Sequence, residues 1–180
     1  MKIIDLFEAP ASITTWYHGS NSKFENFDLS YVSREGATDQ EGPGFYLTSS
    51  IEDAKHYGPH IHVVKAKIAK SRLMPEKRVI NPQFIRGLIT KAPNADDNLT
   101  NYAEHREVAI QTAVRQIMDA FGPKDYREAL EQVWADHYRG QEREWLSRMR
   151  SVGWDGFIVD RVGGVKHFIC FNPAILTIEQ

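Results

Sequence analysis

TTWYHGSNSKF, Thr14 to Phe24, is the stretch from which the rest of the chain is read. Thr14, Thr15, Trp16 and Tyr17 are the β-branched and aromatic types that suit a pleated, half-buried strand, predicted here over Ile13 to Tyr17. The pattern breaks at His18-Gly19-Ser20, and residues 21–44 are then polar and weakly periodic apart from Phe24, Phe27, Leu29 and Tyr31. A strand that stops this way ends on a side chain with two distinct ring nitrogens and on a backbone that a ligand can approach closely. Taken alone, the His-Gly-Ser tripeptide is equally well a turn.

Downstream, Gly42-Pro43-Gly44 punctuates the chain before a short aromatic strand, Phe45-Tyr46-Leu47-Thr48. Ser49 and Ser50 are positioned to cap a helix predicted over Ile51 to Tyr57, which Gly58-Pro59 ends. His60 to Ile68 alternates as a further strand. Pro75, Pro82 and Pro93 interrupt the next segment, leaving a short helix around Phe84 to Ile89. Apolar residues then recur at helical spacing from Ala103 to Arg150, with a stop at Gly122-Pro123, and this stripe reads as scaffold core. Gly156 to Asp160, the Val162-Gly163-Gly164-Val165 turn and Lys166 to Phe171 form a predicted hairpin. Asn172-Pro173 bends the chain into a last strand, Ile175 to Ile178.

Short strands around a helical block indicate an α+β fold. The expectation is one domain over 1–180, with a helical insertion at 103–150 and an N-terminal docking segment at 1–12 whose Ile3, Ile4 and Phe7 share one side. Docking on the body is the first reading of that segment, and a partner-docking tag is the alternative.

Composition narrows the function classes. The chain has 180 residues, 42% hydrophobic and 26% charged, enough to bury a core, and its net charge of -2 supplies no global positive field for nucleic acid or anionic membrane. The one cysteine, Cys170, lies in an apolar run, so no intramolecular disulfide is expected and a buried, inert thiol is. The opening residues lack the features of a secretory signal, and no run is long enough to span a membrane, so a cytoplasmic location is expected. No G-x-G-x-x-G run opens a helix after a strand, which argues against a Rossmann or P-loop site. His56, His60 and His62 form H-x3-H-x-H but lack a firm fourth ligand, so no metal is assigned.

Three stretches together, YHGS, GPGFYLT and GWDGFIVD with KHFICFNPAIL, resemble the ADP-ribosyltransferases of the diphtheria-toxin and poly(ADP-ribose) polymerase side, especially small versions in bacteriophage and mobile-element proteins. The resemblance spans roughly the first 68 and last 30 residues. It implies a split β-sandwich of two mostly antiparallel sheets, NAD as co-substrate, and an unidentified macromolecular acceptor, protein or nucleic acid. It also implies that His18 bonds a ribose hydroxyl, that the Gly19 backbone meets the nicotinamide amide, and that Tyr46 and Tyr57 sandwich the nicotinamide ring. Ser20 and Thr48 fall within the matching motifs, and Arg34 lies where a pyrophosphate-contacting arginine occurs. A tyrosine pair suits this task, because aromatic faces attract a flat cation.

The departure is in the third motif, where the most active relatives carry glutamate and this chain aligns His167. A neutral imidazole orients a hydroxyl but brings no negative charge. Transfer of one ADP-ribose rather than polymer is therefore the expectation, with His18, Tyr46 and His167 as catalytic residues. A noncatalytic NAD- or ADP-ribose-binding or protein-interaction module, and an NAD glycohydrolase, stay open as alternatives. Glu41 and Glu179 are conceivable substitutes for the carboxylate.

Overall fold

The computed structural model describes residues 11–32, 42–93, 103–121 and 125–179, with side chains of the long helix described from residue 106. Residues 1–10 of the expected docking segment, Arg34 and Glu41 lie outside the described residues, and Ser12 opens the first strand.

Among the described residues there are six strands: β1 (Ser12–Ser20), β2 (Phe45–Thr48), β3 (His60–Ile68), β4 (Gly156–Asp160), β5 (Lys166–Cys170) and β6 (Leu176–Ile178). They form an antiparallel sheet in the order β4-β5-β2-β1-β3-β6. The α-helices of the described residues are α1 (Ile51–Ala54), α2 (Pro82–Thr90), α3 (Ala103–Phe121), α4 (Tyr126–His137) and α5 (Glu142–Ser151). The fold is α+β, as the sequence indicates. In place of the two sheets of a split sandwich, the described residues form one sheet, because the Tyr17–Thr48 pair joins what would be its halves.

By contact the chain divides into two compact units. The first takes residues up to 29, 44–73 and 149 onward, and holds the whole sheet. The second takes 30–43 and 74–148, and so gathers α2, α3, α4 and most of α5, more than the 103–150 block read from periodicity.

In the sheet unit, β1 and β3 are paired along their full length, from Ser12 opposite Ile68 to Ser20 opposite His60. Residues opposite one another share a face. Trp16 and Val64 meet there, both buried, and the Trp16 ring lies 5.5 Å from that of Phe168. Val64, Ala66 and Ile68 continue this apolar row along β3, while Lys65 and Lys67 alternate to the other side. Cys170 is fully buried on β5, its thiol donating to the Asn172 carbonyl oxygen at 3.2 Å and pushed up to about 12 by burial. That thiol is inert toward metal or oxidant at neutral pH.

The helical unit packs Ile85, Leu88 and Ile89 of α2, Ile110 and Ile117 of α3, and Leu130 and Val133 of α4 as buried residues. Asn81 caps α2 by accepting from the Gln83 N–H, with Pro82 at the first helical position. Tyr138 is fully buried and satisfies its hydroxyl on the Leu88 carbonyl at 2.8 Å, a bond that fixes the α4 C-terminus on α2.

One ionic latch closes the sheet unit. Asp155, 5% exposed, accepts Arg72 Nε at 2.5 Å and Nη2 at 2.9 Å, and also Asn172 Nδ2 at 2.8 Å. Its own N–H donates to the Arg72 carbonyl at 2.8 Å, and its carbonyl accepts from the Phe171 N–H at 2.8 Å. The chain after β3, the entry to β4 and the exit of β5 are thereby tied at one carboxylate. Arg72 is partly solvated, which limits the loss when its partner goes. Asp155→Ala lowers the unfolding free energy by about 2 kcal/mol in a urea titration at pH 7, with no change in the slope.

Candidate active site

The site is built where β1 and β2 part. Among the described residues, β1 meets β2 in register only at Tyr17 opposite Thr48. Continuing that register would set Gly19 against Tyr46. Instead, the Tyr46 carbonyl oxygen accepts a hydrogen bond from His18 Nδ1 at 2.7 Å. A side chain thus takes a carbonyl next to the point where the ladder ends, which keeps the strands apart without stranding a polar group.

That bond fixes the imidazole tautomer. A carbonyl only accepts, so Nδ1 carries the proton, and Nε2 of the neutral ring is left as an acceptor. Burial lowers the His18 pKa; the Tyr46 carbonyl opposes the shift, and nearby His62 adds to it. The ring is edged by Phe24 at 5.6 Å and Phe27 at 5.3 Å, and Phe24 lies 4.1 Å from the ring of His62. The residues that looked like an isolated aromatic scatter in the polar stretch therefore form the wall behind His18. Phe27 also reaches Phe45 at the start of β2, with ring centroids 5.2 Å apart.

Gly19 is buried beneath α1. A Cβ placed on it would overlap the carbonyl oxygen of Ala54 and crowd Tyr57, so only glycine fits. Gly58 is held in the same way against the backbone of Ser20 and Asn21. These two glycines bring α1 and its following turn onto the end of β1, which places Tyr57 over Gly19.

Tyr57 is half exposed, and its ring stands edge-on to that of His167 at 6.4 Å. His167 is buried in β5, opposite Thr48 in register, and Thr48 is in turn opposite Tyr17. Its Nε2 lies 2.9 Å from Asp53 Oδ2 of α1, and its Nδ1 accepts from Arg161 Nε at 3.5 Å. With Nδ1 accepting, Nε2 carries the proton and donates to the carboxylate.

Four predicted site residues, His18, Gly19, Tyr57 and His167, are thus linked within the sheet unit, with Tyr46 joined through its backbone. Thr48 and Ser20 sit beside them with their hydroxyls engaged internally. Thr48 is 3% exposed and accepts the Ser50 N–H at 3.2 Å, and Ser20 Oγ accepts the Ser22 N–H at 3.2 Å. Of the carboxylates weighed as substitutes, Glu179 pairs with Lys65 at 3.3 Å. Asp53 was missed. Its signal was Ser50-x-x-Asp53, which reads as an ordinary capping sequence. Beyond Phe24 and His62 a groove of about 670 Å³ opens, with Lys23, Pro59, His60 and Glu179 on its rim. No three His, Cys, Asp or Glu side chains among the described residues cluster to hold a metal ion.

The sequence model of a family described as "ADP-Ribosyltransferase in polyvalent proteins" matches residues 12–176. The chain belongs to that family. Transfer of ADP-ribose is the activity the family's description names, and NAD is in general the substrate such enzymes use. No curated protein sequence matches the chain. A solved structure titled "Crystal structure of an anti-CRISPR protein" is 13% identical and is aligned over 93% of this chain and 94% of that one, with a TM-score of 0.38. Among the described residues no helix is long and apolar enough to cross a membrane.

Gly19→Ala puts a methyl group against backbone rather than a flexible side chain, so relief requires α1 to move. We expect about 1–3 kcal/mol of lost stability by thermal or urea unfolding.

Proposed function

We propose that the protein is an NAD-dependent mono-ADP-ribosyltransferase, acting on a macromolecular acceptor. The observation that carries this reading is the parting of β1 from β2 after Tyr17–Thr48, with His18, Gly19, Tyr57 and His167 gathered at the opening. In these terms the sheet is functionally split at this seam, although it is continuous in the described residues. The cradle under α1, which a Cβ at Gly19 would fill, fits the close backbone approach that recognition of a flat amide requires.

Bound NAD supplies a ribosyl carbon whose bond to a cationic nicotinamide is already weakened by that charge. Tyr57 and Tyr46 present aromatic faces to the cationic ring, and the ring loses that charge when it leaves. His18 stays neutral, since burial disfavours the imidazolium, and offers Nε2 as an acceptor to a ribose hydroxyl. The phenol of Tyr57 stays protonated, its pKa raised by burial and by the charge of Asp53. In the groove beyond His18, Lys23, His60 and His62 are the groups suited to the anionic remainder of the dinucleotide, with Glu25 and Glu179 also in its lining. Positioning and exclusion of water lower the barrier more than acid catalysis does, because the leaving group needs no proton. Val162 at the tip of the β4–β5 turn is 99% exposed, and this turn is the segment best placed to meet an acceptor.

Nicotinamide release from NAD, measured with and without cell lysate, tests the assignment. A transferase releases it in a lysate-dependent manner, and His18→Ala lowers release by about 100-fold. NAD bound without release would favour the noncatalytic module, and release without any lysate requirement the glycohydrolase.

A further inference from the structure

The geometry points to Asp53 as the catalytic carboxylate of this site, held by His167 in the role of a positioning residue. This rests on the transferase reading above and supplies the charge that the third motif lacks.

Asp53 is at the third position of α1, where an acidic residue after a serine cap ordinarily folds back onto the N–H of the cap. Here that N–H, on Ser50, is taken by Thr48 Oγ1 at 3.2 Å. Ser50 still caps the helix by accepting the Asp53 N–H at 3.3 Å. The Asp53 backbone is therefore fixed while its carboxylate is released from capping, and the carboxylate turns to His167 Nε2 at 2.9 Å.

This pair differs from a surface ion pair. The His167 side chain is 11% exposed and the Asp53 side chain 27%, so the imidazole is the buried anchor and the carboxylate the more accessible partner. His167 itself is held from its far side by Arg161 Nε. Within the pair, Oδ2 accepts from His167, which leaves Oδ1 for another donor. The negative charge of Asp53 is felt by Tyr57, whose phenol it helps to raise, so the carboxylate and the aromatic face belong to one site. A carboxylate there stabilises positive charge developing on the ribose far better than a neutral imidazole does.

The step balances without a further reagent. The bond between the ribosyl C1′ and the nicotinamide nitrogen breaks, and its electron pair leaves with nicotinamide, cancelling the pyridinium charge. A hydroxyl, amine or carboxyl group of the acceptor, or water in its absence, forms the new bond to C1′. Any proton the nucleophile sheds passes to Asp53 and on to solvent. His167 keeps its Nε2 proton throughout and moves none.

The test compares nicotinamide release and NAD binding in wild type, Asp53→Asn, and Asp53→Asn combined with His167→Glu. Asp53→Asn keeps size and hydrogen-bonding capacity and removes charge. The expected result is a fall in kcat of about 100-fold with NAD affinity by calorimetry within about threefold of wild type. The double variant, which restores a carboxylate from the β5 side, regains at least about tenfold of that loss. Release by Asp53→Asn within about threefold of wild type overturns the assignment, as does a loss of release matched by an equal loss of affinity, which marks a structural role. In both of those cases wild type remains an active enzyme. A wild type that neither binds nor cleaves NAD overturns the transferase reading itself, and the role of Asp53 with it.

Discussion

The hydrogen bond from His18 Nδ1 to the Tyr46 carbonyl is the constraint on which the site depends. Two neighbouring strands that diverge leave backbone groups without partners, and a buried carbonyl left so costs about 1–3 kcal/mol. His18 removes that penalty at Tyr46 and occupies the space between the strands. The same bond sets its tautomer, so the nitrogen left over is an acceptor. Phe24 and Phe27 back the ring and keep it neutral by excluding water. One contact thus decides where the sheet opens, which way the ring is held and which chemical face it offers.

The other half of the site depends on α1, a helix of four residues that could not persist alone in water. Its place is set by the two glycines beneath it, by Ser50 at its start and by the clasp in which Ser49 and Lys166 exchange bonds of 2.8 Å. That clasp extends the β2–β5 pairing one step past Thr48 and His167. Close packing and the proposed carboxylate therefore fall on the same short segment. On the proposal above, the carboxylate comes from α1 rather than from β5, and His167, aligned with the glutamate of the resembling enzymes, supports it.

Much of this was legible in the residues. The β2 and β3 boundaries follow from glycine-proline punctuation and alternation, and Asn81-Pro82 explains why α2 begins where it does. The first strand was read too short, ending at Tyr17, because His-Gly-Ser has the composition of a turn. In the structure it runs to Ser20, since Gly19 and Ser20 pair with Ile61 and His60 of β3, a long-range match that local composition cannot show. The first helix was read too long. After Ala54 the bonds tighten to three-residue spacing, from His56 to Asp53 and from Tyr57 to Ala54, and this turn brings Tyr57 back over β1.

The side chains of the site divide in the same way. His18, Gly19 and Tyr57 were named from the family resemblance, whereas Asp53 lies in an unremarkable capping sequence and takes on its proposed role through a residue 114 positions away. The most direct measurement of the central claim is an amide chemical-shift titration of the labelled protein with NAD. The account predicts shifts concentrated at Gly19, Tyr46 to Asp53, Tyr57 and His167, with α3 and α4 unmoved. Shifts confined to the helical unit, or none at millimolar NAD, would contradict it.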